Sequence, residues 1–111
     1  MEMSQISQTA ETGSFIAFVL DAGGAIPITG ATVRVYGSKQ MEEEPIAVLK
    51  SGEDGRTNEF LSAALSSLTV EVEQEGYYSF RSNTIPIYAK VTSIQPVYMI
   101  PIPEWEEAPE W

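Results

Sequence analysis

The chain has 111 residues, which is enough for one compact domain and too few for two separate cores. Sixteen acidic residues against six Lys and Arg give a net charge of −10, which argues against binding to nucleic acid or to an anionic membrane surface. The sequence has no Cys and no His, so it lacks thiolate nucleophiles, disulfides and the commonest general base and metal ligand. We therefore expect a non-enzymatic domain without a cofactor or metal ion.

The two ends of the chain differ in composition from the middle. Residues 1–12 are polar and without periodicity, which predicts a flexible leader, and they lack the basic and apolar regions of a signal peptide. The longest apolar run covers residues 15–20, far short of the about twenty residues that a membrane-spanning helix needs. Residues 104–111 form an acidic tail with Pro and Trp. We predict a soluble domain over residues 13–103, in a compartment that the sequence leaves open.

The middle of the chain is a series of short apolar segments separated by turn residues. Residues 67–74 alternate clearly between apolar and polar side chains, as in a strand with one buried face. Asp54-Gly55 predicts a hairpin turn, and the Ser-rich residues 60–68 offer at most one short helical turn. The spacing predicts an all-β protein, a seven- to eight-stranded antiparallel Greek-key sandwich. The predicted strands cover residues 14–21, 32–36, 45–50, 56–61, 67–74, 77–80, 85–89 and 92–100.

Five short segments in the right order resemble a known family, the carboxypeptidase regulatory-like domain. They are Gly13 to Asp21, PITGATVRV at 27–35, DGR at 54–56, VEV at 70–72 and EGY at 75–77. The resemblance covers about residues 13–103 and implies a transthyretin-like (prealbumin-like) sandwich. In that family the Tyr of the Gly-Tyr pair occupies a core position, which implies that Tyr77 is packed.

The last third of the chain carries a narrower resemblance, to a Firmicute subset of that family. Its motifs are GYY at 76–78, IPIY at 85–88, VTSIQPV at 91–97 and IPIP at 100–103. In that subset the domain accompanies spore cortex-lytic enzymes and peptidoglycan-binding modules. The resemblance therefore implies an accessory domain associated with the cell wall or spore, while the chemistry belongs to neighbouring domains.

Catalytic interpretations are weak. The hydroxyisourate hydrolases of the transthyretin-like fold use histidines and a terminal Tyr-Arg-Gly-Ser, and this chain has neither. No Gly-x-Ser-x-Gly or Ser-x-x-Lys motif is present to activate a serine. Glu53, Asp54 and Glu59 offer oxygen ligands for Ca²⁺ but lack the spacing of a calcium loop. A hydrolase that uses carboxylates alone is the remote alternative.

The aromatic side chains are the candidate partner-binding residues. Trp105 and Trp111 lie in the acidic tail, and Trp is enriched at binding hot spots. Three interpretations of the tail stay open: it covers the end of the sandwich, it docks on a partner, or it links to a further domain. Tyr78 is a third candidate, for stacking on a sugar ring or contacting a protein. We therefore predict a non-catalytic bacterial module that binds a protein or a cell-wall glycan; the alternative is a structural or spacer subunit of a larger, phage-like assembly.

Overall fold

The computed structural model describes residues 11–37 and 44–103, and the elements in these ranges are all strands. Within them no helix is long and apolar enough to cross a membrane. The strands are β1 Thr12–Asp21, β2 Thr32–Gly37, β3 Ala47–Lys50, β4 Phe60–Ala63, β5 Ser67–Glu73, β6 Phe80–Arg81, β7 Ile85–Pro86 and β8 Thr92–Met99. The predicted all-β fold is confirmed, and the segment at 60–68 forms a strand and a turn.

The strands form two sheets that pack face to face. The three-stranded sheet has the order β4-β1-β8, and the five-stranded sheet has the order β3-β2-β5-β6 with β7 also paired to β5. Each long strand points alternate residues into the core, because a strand points successive side chains to opposite faces. On β1 the outward Ser14 and Leu20 are buried as well. The core between the sheets holds Phe15, Val33, Val70 and Val97, all fully buried. This arrangement buries one face of each sheet and leaves the other outside.

One strand pairing differs from the antiparallel expectation. β1 and β8 run parallel, with Ser14 opposite Thr92 and Asp21 opposite Met99, whereas β1 and β4 are antiparallel. A tight hairpin forces antiparallel pairing, but β8 arrives from the five-stranded sheet through residues 87–91. The direction of β8 is therefore set by the connection that crosses between the sheets. The alternation of apolar and polar residues does not encode this connection.

The turn at Asp54-Gly55 is present, but the predicted hairpin is wrong. β3 pairs with β2 and β4 pairs with β1, so this turn carries the chain from one sheet to the other. Gly55 has a φ of +84° and its N–H donates to the Gly52 carbonyl at 2.9 Å. A Cβ on Gly55 would lie 2.6 Å from the Val19 carbonyl oxygen. Glycine is required here for two reasons: the Val19 carbonyl oxygen lies too close for a Cβ, and the backbone is left-handed.

Candidate functional site

The candidate site is a groove at one end of the sandwich, where the turn after β5 meets the residues after β8. Gly76 has a φ of +88°, which turns the chain sharply toward Tyr77. The N–H of Tyr78 donates to the Ile100 carbonyl, and the N–H of Ile102 donates to the Gly76 carbonyl, both at 2.9 Å. This short ladder holds the segment after β8 against the turn and forms one wall of the groove.

The opposite wall comes from β2 and the end of β3. Ser51 fixes its position, because the buried Ser51 hydroxyl accepts from the Ala31 N–H at 2.9 Å and donates to the Ile28 carbonyl at 2.6 Å. The cavity between the walls has a volume of about 620 Å³ and opens widely to solvent. It is lined by Gly30, Thr32, Lys50, Glu73, Gln74, Glu75, Tyr77, Tyr78, Ser79 and Ile102.

Tyr77 forms the floor where the two sheets meet. Its ring packs against the core, and its hydroxyl donates to Asp21 Oδ2 at 2.7 Å. This hydrogen bond, together with burial, raises the pKa of Tyr77. The same bond, with that from the Gly23 N–H, lowers the pKa of Asp21. Tyr77 is therefore a neutral hydrogen-bond donor near pH 7, and it links β1 to the turn after β5.

Two charged side chains of the groove have polar partners. Lys50 Nζ donates to Thr32 Oγ1 at 2.9 Å, and Glu73 Oε1 forms an ion pair with Arg34 Nη1 at 2.9 Å. Gln74 is half-buried and Glu75 is exposed, and both line the groove. The groove thus combines aromatic rings with acceptors and an amide donor, which can bind hydroxyl or amine groups.

The structure tests only part of the predicted site. Tyr78 is half-buried and lines the groove, so its position suits a partner contact, while its role as a binding residue stays a prediction. Trp105 and Trp111 lie outside the described residues. The packed position expected for Tyr77 is confirmed by its contact with the core.

Sequence reasoning missed the other groove residues. Lys50 ends β3, whereas Gln74 and Glu75 follow β5, and no local motif marks them as neighbours. The pairing of β2 with both β3 and β5 brings them together. In the described part of the chain, no three acidic side chains converge in a way that could hold a metal ion. Asp54 instead accepts from the Arg56 N–H at 3.0 Å within its own turn.

Two solved bacterial structures share this fold. The Bacillus anthracis TIE protein matches 83% of this chain with a TM-score of 0.63 and 18% identity. GBS52, the minor pilin of the gram-positive pathogen Streptococcus agalactiae, matches 91% of it with a TM-score of 0.66 and 12% identity. The chain spans only 17% of the first protein and 49% of the second. At such low identity the likeness concerns the β-sandwich fold.

Sequence comparison adds no family assignment. No protein-family model matches the chain, and no curated protein matches it significantly. The similarity to the carboxypeptidase regulatory-like domain therefore stays a prediction at the level of family, while the β-sandwich fold that it implied is present.

Proposed function

We propose that this chain is a non-catalytic module of a bacterial surface or assembly protein, and that it binds its partner in the groove beside Tyr78. The groove carries this proposal, because Tyr78, Gln74 and Glu75 line it together. Aromatic rings pack on the C–H faces of sugars, and amides and carboxylates bond to their hydroxyls. A cell-wall glycan is the ligand class that we favour.

The cell-wall part of the proposal has two supports. The sandwich is similar to that of a minor pilin from a gram-positive bacterium, and the motifs of the last third resemble domains that accompany peptidoglycan-binding modules. Both supports concern other proteins, so the wall or spore association of this chain is part of the proposal.

The non-catalytic part rests on the chemistry available. The chain has no His and no Cys, and two carboxylates in or beside the groove are engaged: Glu73 with Arg34, and Asp21 with Tyr77. A hydrolase that uses two carboxylates needs one with a raised pKa. Asp21 has instead a lowered pKa, which disfavours the role of general acid.

Co-sedimentation with insoluble peptidoglycan sacculi tests the proposal. We expect saturable pelleting of the full chain, and a several-fold weaker binding for Tyr78→Ala and Gln74→Ala. Tyr88→Ala is the matched control, because Tyr88 is an exposed tyrosine outside the groove lining. A Trp105→Ala/Trp111→Ala double variant separates a contribution of the acidic tail from that of the groove.

The outcomes discriminate between the alternatives. Equal binding of Tyr78→Ala and Tyr88→Ala would contradict the groove as the site, and loss of binding only in the Trp double variant would place the site on the tail. No pelleting of the wild-type chain at any salt concentration would contradict glycan binding.

A structural or spacer subunit of a larger assembly is the second candidate. It is favoured by the comparisons, since the same fold occupies only 17% and 49% of the two longer chains. Such a subunit is expected to bind other proteins and not to bind sugars. The same sedimentation experiment therefore distinguishes it from a glycan-binding module.

A further inference from the structure

A second surface, whose residues do not line the groove, is apolar. Phe15, Ala17 and Val19 of β1 point into the core, as do Val97 and Met99 of β8, so the alternate residues point outward. We call the surface that they form the apolar face. Its apolar residues are Ile94, Pro96 and Tyr98 of β8 and the half-buried Ile16 and Phe18 of β1, with Leu61 from β4 beside them. The same rows also hold the polar Ser14 and Thr92 and the buried Leu20.

The apolar face is unusually exposed for a chain with so many charges. Ile94 is 54% exposed, Tyr98 53% and Leu61 65%. Residues 91–103 contain no Asp, Glu, Lys or Arg, although the chain as a whole has a net charge of −10. Contiguous exposed apolar surface on a folded domain marks an interaction site.

The open edge of β8 is a poor place for another strand to add. The Met99 carbonyl points toward β1, where it accepts from the Ala22 N–H at 2.8 Å, so the backbone of Pro96 points to the open edge. Pro96 has no N–H to donate, and its carbonyl accepts from the side-chain amide of Gln95 at 2.9 Å. Edge pairing is therefore blocked at the middle of the strand, and the face is the surface left for docking.

Two opposite charges lie at either side of the centre of this face. The guanidinium carbon of Arg56 lies 4.9 Å from the centroid of the Phe18 ring. The Glu59 carboxylate accepts from the Ser14 hydroxyl at 3.4 Å. Ser14 and Phe18 are four residues apart on β1, which corresponds to about 13 Å. Ile16 lies midway between them.

We propose that a second copy of this chain binds to the apolar face, with its β1 antiparallel and a two-fold axis passing beside Ile16. Such an axis reverses positions along the strand, so Arg56 of each copy faces Glu59 of the other. Ile16 and Ile94 then pack against their counterparts at the centre. After the two-fold rotation, apolar residues therefore meet apolar residues and opposite charges meet each other. A two-fold interface requires this self-complementarity.

The size of the face predicts a weak complex. An eight-residue strand is about 26 Å long and three strands span about 14 Å, so the footprint is well below the about 800 Å² per partner of a stable interface. We expect a transient dimer that forms at high protein concentration. This proposal does not depend on ligand binding in the groove.

Analytical ultracentrifugation of the full chain over a wide concentration range tests the proposal. The wild-type chain is expected to shift from monomer to dimer, and Ile94→Asp is expected to weaken the dimer at least tenfold. Val48→Asp is the matched control, because Val48 is a β-branched strand residue of similar exposure, 56%, on the outer face of the other sheet. Thermal unfolding verifies that both variants are folded.

A charge exchange tests the geometry itself. Arg56→Glu and Glu59→Arg each present two like charges to their own copies, so neither variant alone is expected to dimerise. An equimolar mixture of the two places opposite charges across the interface and is expected to form a heterodimer. The double variant Arg56→Glu/Glu59→Arg is expected to dimerise as the wild type does.

Each outcome decides the proposal. Dimerisation restored in the mixture and in the double variant supports the antiparallel two-fold arrangement. A monomeric wild-type chain at every concentration, equal weakening by Ile94→Asp and Val48→Asp, or a mixture that stays monomeric would overturn it.

Discussion

The two outer faces of the sandwich are built from similar alternating strands, yet their chemistry differs. The outer face of the five-stranded sheet, here the charged face, carries polar partners: Arg34 pairs with Glu73 at 2.9 Å, and the Tyr36 hydroxyl donates to Glu71 at 3.2 Å. The apolar face carries Ile94 and Tyr98, each more than half exposed. One face is thus suited to water, and the other is suited to a partner.

This difference shows that alternation alone does not distinguish a solvated surface from an interface. Both sheets point alternate residues toward the core, and the core side is apolar in both. The two surfaces differ in their outward residues. Polar outward side chains are hydrated by solvent, whereas burial of apolar outward side chains against a partner is favourable by about 25 cal/mol per Å². The following predictions test this contrast, from the largest expected effect to the smallest.

Two phenylalanines on β1 give the sharpest comparison. Phe15 points into the core and is fully buried, whereas Phe18 points to the apolar face beneath Arg56. Phe15→Ala is expected to lower the free energy of unfolding by about 3–5 kcal/mol, because it leaves a cavity. Phe18→Ala is expected to cost only about 1–2 kcal/mol, through lost area and the cation–π contact. Urea titration measures both, and equal losses would contradict the assignment of the two faces.

Substitution of Gly55 tests the turn that carries the chain from one sheet to the other. Gly55→Ala is expected to destabilise the fold by about 2–5 kcal/mol, because left-handed backbone is strained and the new Cβ overlaps the Val19 carbonyl oxygen. Gly30→Ala is the control, since Gly30 has a φ of +83° and open space around it. It is expected to cost about 1–2 kcal/mol. The difference in urea midpoint between Gly55→Ala and Gly30→Ala measures the cost of the steric overlap. Equal midpoints would show that the turn shifts to accommodate the new Cβ.

The Arg34–Glu73 ion pair tests the charged face. Both side chains are partly exposed, at 32% and 50%, so solvent screens the pair. A double-mutant cycle with Arg34→Ala and Glu73→Ala is expected to give a coupling free energy no larger than the error of a denaturant titration. High salt is expected to make this coupling free energy smaller still. A large, salt-independent coupling would mean that this face is not simply a solvated surface.

The Tyr77–Asp21 bond predicts a small pH dependence at the groove. The folded pKa of Asp21 is lowered, so its contribution to stability is complete above the ordinary Asp pKa and is lost as pH falls through the folded value. Tyr77→Phe removes the main cause of the lowered pKa and is expected to reduce the loss of thermal stability below about pH 4. Tyr88→Phe serves as the control, and an identical acid profile for both variants would contradict the role of the bond.

Several elements could be predicted from the sequence because their signals are local. β5 follows the alternation of Leu68, Val70 and Val72, and β2 follows Val33 and Val35. Each pattern depends only on the two-residue period of a strand. The predicted strand at 77–80 is shortened to Phe80–Arg81, because Gly76 and Tyr77 are used in the turn that builds the groove.

The site was less accessible to such reasoning. The sequence marks Tyr78 only as an aromatic residue of the predicted strand at 77–80, but the groove around it also needs Lys50 from the end of β3 and Ile102 from beyond β8. These residues are far apart in the chain and meet only through strand pairing. The apolar face was missed for a related reason: the apolar residues of β1 fit a strand buried on both sides equally well.

The sequence by itself determined the all-β class, the approximate strands, the acidic character and the lack of His and Cys chemistry, because these depend on composition and short-range periodicity. Only the tertiary structure decided the parallel pairing of β1 with β8, the crossing at Gly55, the groove and the apolar face. All of these depend on which strands become neighbours. That choice is made by the packing of two whole sheets against each other rather than by any single segment.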